Sequence, residues 1–202
     1  CSLCLFPAAG SPPALASSPA RRSSVLSPDV CLIGAGFTGI STSLHLADRG
    51  YDVHVIEANK VGWGASGRTG GQMIGGISAE QKIAKTIGTD GEKIMGDMGW
   101  AGHSIIRDRV SRYDIQCDLK AGYLGVAIKP RHVDAIKKEF EYLSNKNFPF
   151  EIKVLSQDET RDAIGTDAYI GAMLNMANGH LHPLNLCIGE ANAAVANGST
   201  IY

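Results

Sequence analysis

Asp29 to Glu57, DVCLIGAGFTGISTSLHLADRGYDVHVIE, is the stretch whose reading decides the fold. An apolar run from Asp29 to Ile33 has the length and composition of a buried strand, and a helical pattern follows from about Thr38 to Arg49. A second strand is expected from Asp52 to Ile56. Between the first strand and the helix stands Gly34-Ala35-Gly36-Phe37-Thr38-Gly39, a G-x-G-x-x-G turn. Gly34 permits the tight turn, Gly36 lets backbone approach a pyrophosphate, and Gly39 lets helix and strand pack closely. A pyrophosphate at this point meets free N–H groups at the positive end of the helix dipole. Glu57 closes the second strand 18 residues after Gly39, where a carboxylate can accept hydrogen bonds from ribose hydroxyls. Glycine turns are common alone, but strand, helix, second strand and terminal acid agree here on a dinucleotide ligand.

The 202 residues suffice for one or two domains with a core, and 44% apolar residues with a mean hydropathy of −0.02 describe a globular chain. A net charge of −1 gives no electrostatic case for nucleic acid or an anionic membrane, and no apolar run is long enough to span a bilayer. Cys31, in a strand, and Cys187, on a helix, are expected to be reduced core thiols. Cys1 and Cys4 form a C-x-x-C without a second pair, which supports neither zinc nor redox chemistry. The scattered thiols suit a reducing, cytoplasmic compartment.

Residues 1 to 28 are rich in Ser, Pro and Ala and carry no acid before Asp29, so a disordered leader is expected. Ala58 to Ile77 contains seven glycines between Gly62 and Gly76, too many for a helix or a stable strand. Helical stretches are expected from Ser78 and over Asp90 to Tyr113, then a strand over Gly122 to Ile128 and an amphipathic helix over Pro130 to Asn145. A strand over Glu151 to Leu155 precedes Ser156-Gln157-Asp158-Glu159, a capping box. Tyr169 to Met176 alternates as a strand, and His180-Leu181-His182-Pro183 leads into a helix ending near Asn197, with Gly198 as its stop. Ser199 to Tyr202 opens a further strand.

Arg68 lies in the glycine loop, within Ala65-Ser66-Gly67-Arg68-Thr69-Gly70-Gly71-Gln72. Alone it would read as a solvated arginine; after a dinucleotide turn, the loop reads as a cofactor cradle with Ser66 and Arg68 as polar anchors. His180-x-His182 lacks a third ligand at a plausible spacing, so a structural or pocket-lining role is expected and no metal. Tyr113, Tyr123 and Tyr169 are expected in packing, and no G-x-S-x-G elbow occurs.

Three segments, IGAGFTGISTSLHLADRGYDVHVIEAN, VGWGASGRTGGQ and GHLHPLNLCIGEAN, together resemble the FAD-dependent amine and amino-acid oxidoreductases of the D-amino-acid oxidase type. The resemblance runs from about Asp29 to the end. It implies an α/β fold, with a Rossmann-like, glutathione-reductase-like FAD domain interrupted by the start of a mixed α+β substrate domain. The expected division is a leader over 1–28, FAD domain over 29–119, substrate-domain portion over 120–175 and a return to the FAD domain over 176–202. Gly34, Gly36, Phe37, Thr38 and Gly39 would hold the FAD pyrophosphate, with Glu57 and Ala58 at the adenosine ribose. Ser66, Gly67, Arg68, Thr69, Gly70, Gly71 and Gln72 would approach the flavin. The family usually carries Asn where this chain has Thr69, which removes an amide from that loop. Members are also roughly twice as long as this chain, which is expected to be an N-terminal part.

The resemblance further implies oxidation of the primary amine of a gamma-glutamylated diamine. An imine is hydrolysed to an aldehyde and ammonia, and molecular oxygen is reduced to hydrogen peroxide. No Cys or His stands in a recognisable attachment setting, so the FAD is expected to be non-covalent, and no catalytic base is identified. Alternatives are an oxidase of a small amine such as sarcosine or glycine, a truncated cofactor-binding fragment without activity, and an NAD-dependent dehydrogenase. The long glycine loop after Glu57 speaks against the last, since NAD folds usually proceed promptly to another helix and strand.

Overall fold

The structure is a computed structural model and describes residues 26–75, 80–145 and 148–202. Most of the expected leader, together with Ser78, therefore lies outside the described residues. In chain order the elements are β1 (Val30–Ile33), α1 (Phe37–Ala47), β2 (Val53–Ile56), a 3-10 turn (Ala65–Arg68), β3 (Gln72–Met73), α2 (Glu80–Arg112), β4 (Lys120–Ala127), α3 (Pro130–Asn145), β5 (Ile152–Leu155), α4 (Gln157–Ile164), β6 (Gly171–His180), α5 (Pro183–Ala196) and β7 (Thr200–Ile201). They fall into two compact units. The first is drawn from Cys1–Gly71, Arg107–Asp118 and His182–Tyr202, the second from Gln72–Ile106 and Leu119–Leu181.

The first unit is built on a parallel sheet in the order β1-β2-β7, with Val30 opposite Val53 and His54 opposite Thr200. Parallel neighbours need a crossover, and α1 supplies the one between β1 and β2. Its buried residues, Ile40, Ser43, Leu44 and Ala47, recur at helical spacing and form one face. Helix α1 ends at Asp48, and Gly50 at φ 84° turns the chain toward β2. Helix α5 starts from His182, whose side chain accepts the Asn185 N–H, with Pro183 in its first turn. It is buried over Leu186, Cys187, Ile188, Glu190, Ala191, Ala193 and Ala194. The core joins Ala35, Ile40, Val55, Val61, Cys187, Ile188 and Ala191, with Leu32 and Leu184 against it.

Strand alternation decides which side chains face these helices. Val53 and Val55 are buried and Leu32 packs into the core, whereas Cys31 and Ile33 point the opposite way and are exposed. Ile56 on the same outward face is half exposed. The expectation of a buried Cys31 is thus corrected: among the described residues, α1 and α5 cover only one face of this sheet.

In the second unit β6 is the central strand of an antiparallel sheet, pairing with β3, β4 and β5. It begins at Gly171 and runs on to His180, so His180 lies in a strand, four residues beyond the expected end. The extension is paid for by pairing: Gln72 and Lys120 both face His180. Gly179 makes this possible, since a Cβ there would stand 2.2 Å from the Lys120 carbonyl oxygen. The short β3 also corrects the reading of Ala58 to Ile77 as free of strand. Helix α2 is broken at Gly88 (φ 76°, ψ −177°), close to the expected boundary between two helical stretches. Helix α3 has the expected bounds.

Helix α4 opens on the expected capping box. Glu159 N–H donates to Ser156 Oγ at 3.3 Å, and Ser156 N–H donates to Glu159 Oε2 at 2.8 Å. Lys153 Nζ donates to Glu159 Oε1 at 2.8 Å, and this bond with those from Ser156 draws the carboxyl down to about 2. Trp100 packs edge-on against His103 and Phe148, with ring centroids 5.3 and 4.8 Å apart, and its ring closes over Gly75. Among the described residues no helix is long and apolar enough to cross a membrane.

Two thiols of the first unit, Cys31 and Cys187, report its sheet orientation directly. Burial, with Glu190 and Glu57 nearby, pushes Cys187 up to about 12, and Cys31 is exposed. In the folded protein at mildly alkaline pH, iodoacetamide should label Cys31 while Cys187 stays protected until denaturation, as peptide mass spectrometry would show. Equal labelling of both would contradict the packing of α5.

Candidate dinucleotide site

The glycine turn closes as its sequence demands. Gly34 has φ 96°, a conformation that side chains disfavour, and the space where its Cβ would stand is open to 4 Å. A Cβ on Gly39 would lie 1.9 Å from the Gly34 carbonyl oxygen, so only glycine allows α1 to begin this close to β1. Gly36 is the N-cap of α1 in extended geometry; it makes no side-chain cap bond, and no acid stands in the first turn. Ser66 Oγ accepts the Phe37 N–H at 3.0 Å and would collide with a Cβ on Gly36 at 2.8 Å. Among the described residues, the N–H groups of Thr38 and Gly39 then remain at the positive end of the helix without a capping side chain.

Glu57 is bound into the same turn. Its Oε2 accepts the Ala35 N–H at 2.7 Å, and its Oε1 accepts the Asn59 N–H at 2.9 Å. An ionised carboxylate has about four acceptor positions, so about two stay open for ligand hydroxyls. The same side chain therefore ties the end of β2 to the glycine turn and can still receive a ribose. Ala58 follows it, exposed.

The glycine loop separates into two parts. Gly62 N–H donates to the Ala35 carbonyl at 2.9 Å, and Gly67 N–H donates to the Gly62 carbonyl at 3.0 Å. A Cβ on Gly62 would stand 3.0 Å from Leu184 Cδ1 and 3.2 Å from Cys187 Sγ, and one on Gly67 would stand 2.3 Å from the Gly62 oxygen. These two glycines let the loop fold onto α5 and onto itself. Arg68 turns to its own loop: Nε donates to the Trp63 carbonyl at 2.8 Å, and the guanidinium lies 4.4 Å from the Trp63 ring centroid. Thr69 is exposed and its hydroxyl accepts the Gly71 N–H at 3.3 Å; Gly70 is exposed and Gly71 is buried at φ 69°. Gln72 belongs to β3 in the second unit, opposite His180. The structure thus gathers the turn, Glu57 and Ser66 into one group and leaves Arg68 stacked on Trp63.

His182 serves as the cap of α5, and among the described residues no group of three or more His, Cys, Asp or Glu converges as a metal site.

Beneath the turn lies a feature absent from the sequence reading. Arg109 Nη1 donates to Glu190 Oε1 at 2.7 Å and to Ser41 Oγ at 2.9 Å, and Nη2 donates to the Ser41 carbonyl at 3.2 Å. Both charged residues are buried, Arg109 at 5% and Glu190 at 2% exposure. Burial pushes the Glu190 carboxyl up, and the Arg109 hydrogen bond and charge pull against it. His45 on α1 is pushed down by burial and by the charges of Arg109 and Arg49. Removing one partner of a buried pair costs about 3–5 kcal/mol in other proteins. A signal for it did exist, since Glu190 is the lone charge in the otherwise apolar PLNLCIGEANAAVA of α5.

A helix start over a glycine turn with two N–H groups left without a capping side chain, and a carboxylate closing the next strand, defines a Rossmann-type dinucleotide-binding protein, and the residues present fit such a group. A family model described as "FAD dependent oxidoreductase" (DAO) matches residues 29–202, and the chain belongs to that family. It is 42% identical to the gamma-glutamylputrescine oxidoreductase of Escherichia coli (strain K12), over 86% of this chain and 41% of that protein. The probable oxidoreductase OrdL of Haemophilus influenzae is 40% identical over the same shares. The chain therefore spans about two fifths of the length of these curated relatives. Among solved structures, the L-amino acid deaminase of Proteus myxofaciens superposes with a TM-score of 0.76 at 19% identity, covering 94% of this chain and 40% of that one. Glycine oxidase from Geobacillus kaustophilus gives 0.67 at 20% identity, covering 87% and 46%. These two establish the fold.

Two substitutions separate the roles of the turn. Gly39→Ala should destabilise the first unit by at least about 1–3 kcal/mol in a chemical denaturation curve, because the methyl group meets backbone. Glu57→Gln should keep the fold yet weaken FAD about tenfold or more in a fluorescence titration, since a charged acceptor is lost. Unchanged affinity would exclude Glu57 from the ribose site.

Proposed function

We propose that the protein containing this chain is an FAD-dependent amine oxidase, and that Gly34 to Gly39, Glu57 and Ala58 bind the cofactor non-covalently. The observation that carries the proposal is that the Thr38 and Gly39 N–H groups of α1, without a capping side chain, lie over the same turn that Glu57 holds. In this reading the N–H groups of Thr38 and Gly39 receive the pyrophosphate, and the open positions on Glu57 receive the ribose hydroxyls. Ser66 to Gln72 approach the flavin, and Arg68 supplies positive charge favourable to its reduced state. When bound, FAD would supply the two-electron oxidation. We assign 29–119 and 176–202 to the FAD-binding part and 120–175 to the start of the substrate domain; within the FAD-binding ranges 29–71, 107–118 and 182–202 belong to the first compact unit, whereas 72–106 and 176–181 belong to the second.

For the substrate, the 42% identity to a gamma-glutamylputrescine oxidoreductase supports the primary amine of gamma-glutamylputrescine. The amine loses two electrons and its imine takes up water, giving an aldehyde and ammonia. Molecular oxygen accepts the electrons and leaves as hydrogen peroxide. The chain's part is positioning: the reacting amine must be held neutral, which a desolvated pocket favours. We assign the activity to putrescine catabolism in the cytoplasm; three reduced thiols, Cys31, Cys117 and Cys187, are in keeping with that setting.

The test is peroxide and ammonia release by the full natural-length protein supplied with gamma-glutamylputrescine, glycine or sarcosine. Equimolar peroxide and ammonia with the first amine alone is the expected result. Turnover of glycine or sarcosine in its place would move the protein to a small-amine oxidase and overturn the substrate assignment.

A further inference from the structure

A buried arginine side chain ties helix α1 to two other helices. Arg109 reaches α1 from the C-terminal part of α2 and donates to both the hydroxyl and the carbonyl of Ser41, four residues after Phe37. Its remaining strong bond goes to Glu190 in the middle of α5. Three helices are thereby tied at a single buried guanidinium, one turn below the N–H groups that face the glycine turn. A guanidinium suits this junction because its planar fork fixes several acceptors at once; an ammonium is a point charge without that planarity. An apolar pair of similar volume would do as well for stability, since buried ion pairs often give no net gain over well-packed hydrophobes. Stability alone therefore gives no reason for a charge here, whereas a fixed orientation of α1 does.

We propose that Arg109 and Glu190 are positioning residues for the dinucleotide site: the pair sets the angle and register at which α1 presents the Thr38 and Gly39 N–H groups. The inference rests on the reading of α1 as the FAD pyrophosphate site. Ser41 is the point through which the pair acts, and the pair itself touches no cofactor.

The experiment compares the full natural-length wild type with Arg109→Met/Glu190→Met and with Arg109→Lys. Three quantities are read: melting temperature, FAD affinity, and hydrogen exchange at the Thr38 and Gly39 amides without cofactor. The double variant should melt within about 5 °C of wild type, because both charges leave together. Its FAD affinity should nonetheless fall at least about tenfold, and the two amides should exchange faster than in wild type. Arg109→Lys keeps a charge opposite Glu190 and covers the case in which the double variant does not fold; it should also lose at least about fivefold in affinity. Wild-type affinity and wild-type exchange in a folded variant would overturn the proposal and leave the pair a packing element. If wild type itself binds no FAD, the FAD reading fails separately, and the amide exchange still decides whether the pair orients α1.

Discussion

A methyl group on Gly39 would stand 1.9 Å from the Gly34 carbonyl oxygen, and the first unit is arranged around that missing methyl. Because α1 can start so close to β1, its N-terminus lies at the strand end, where Gly34 turns with φ 96°. The turn then brings the Ala35 N–H within 2.7 Å of Glu57 at the end of β2. The Ala35 carbonyl, on the other side, receives the Gly62 N–H and so anchors the glycine loop. One close backbone approach thus fixes the relation of strand, helix, acid and loop, which are the parts a dinucleotide needs in register.

Much of this was legible because the determinants are local. Strand, turn, helix and second strand each announce themselves over a few residues, and the capping box of α4 and the Pro183 start of α5 do the same. Departures arise where a long-range partner decides. Strand β6 extends to His180 because β3 and β4 satisfy its backbone, and Cys31 is exposed because strand parity turns it away from α1 and α5. Gly67 stands in the loop expected to approach the flavin, and its missing side chain, like that of Gly62 before it, makes room for Leu184, Cys187 or the loop's own carbonyl. A glycine count cannot distinguish these uses, since both are close approaches to a Cα.

The Arg109–Glu190 junction illustrates the same limit more sharply. The two residues are 81 apart in sequence, and Arg109 also meets a third helix through Ser41. A lone acid in an apolar helix announces that some partner exists, but only the assembled fold says which one. Arg68 is the converse case: the sequence offers it as a polar anchor of the cofactor loop, and the structure gives it the carbonyl and ring of Trp63. That contact holds the loop's charge in a defined place at the modest strength of an exposed cation–π pair.

Membership of the FAD-dependent oxidoreductase family and the geometry of the turn support the proposal that this site holds FAD, and the proposal adds that no covalent bond attaches it. The most direct measurement is the visible spectrum of the full natural-length protein, before and after acid precipitation. The account predicts a yellow protein whose flavin passes entirely into the supernatant as intact FAD. A colourless protein that binds NAD and fails to bind added FAD would contradict it.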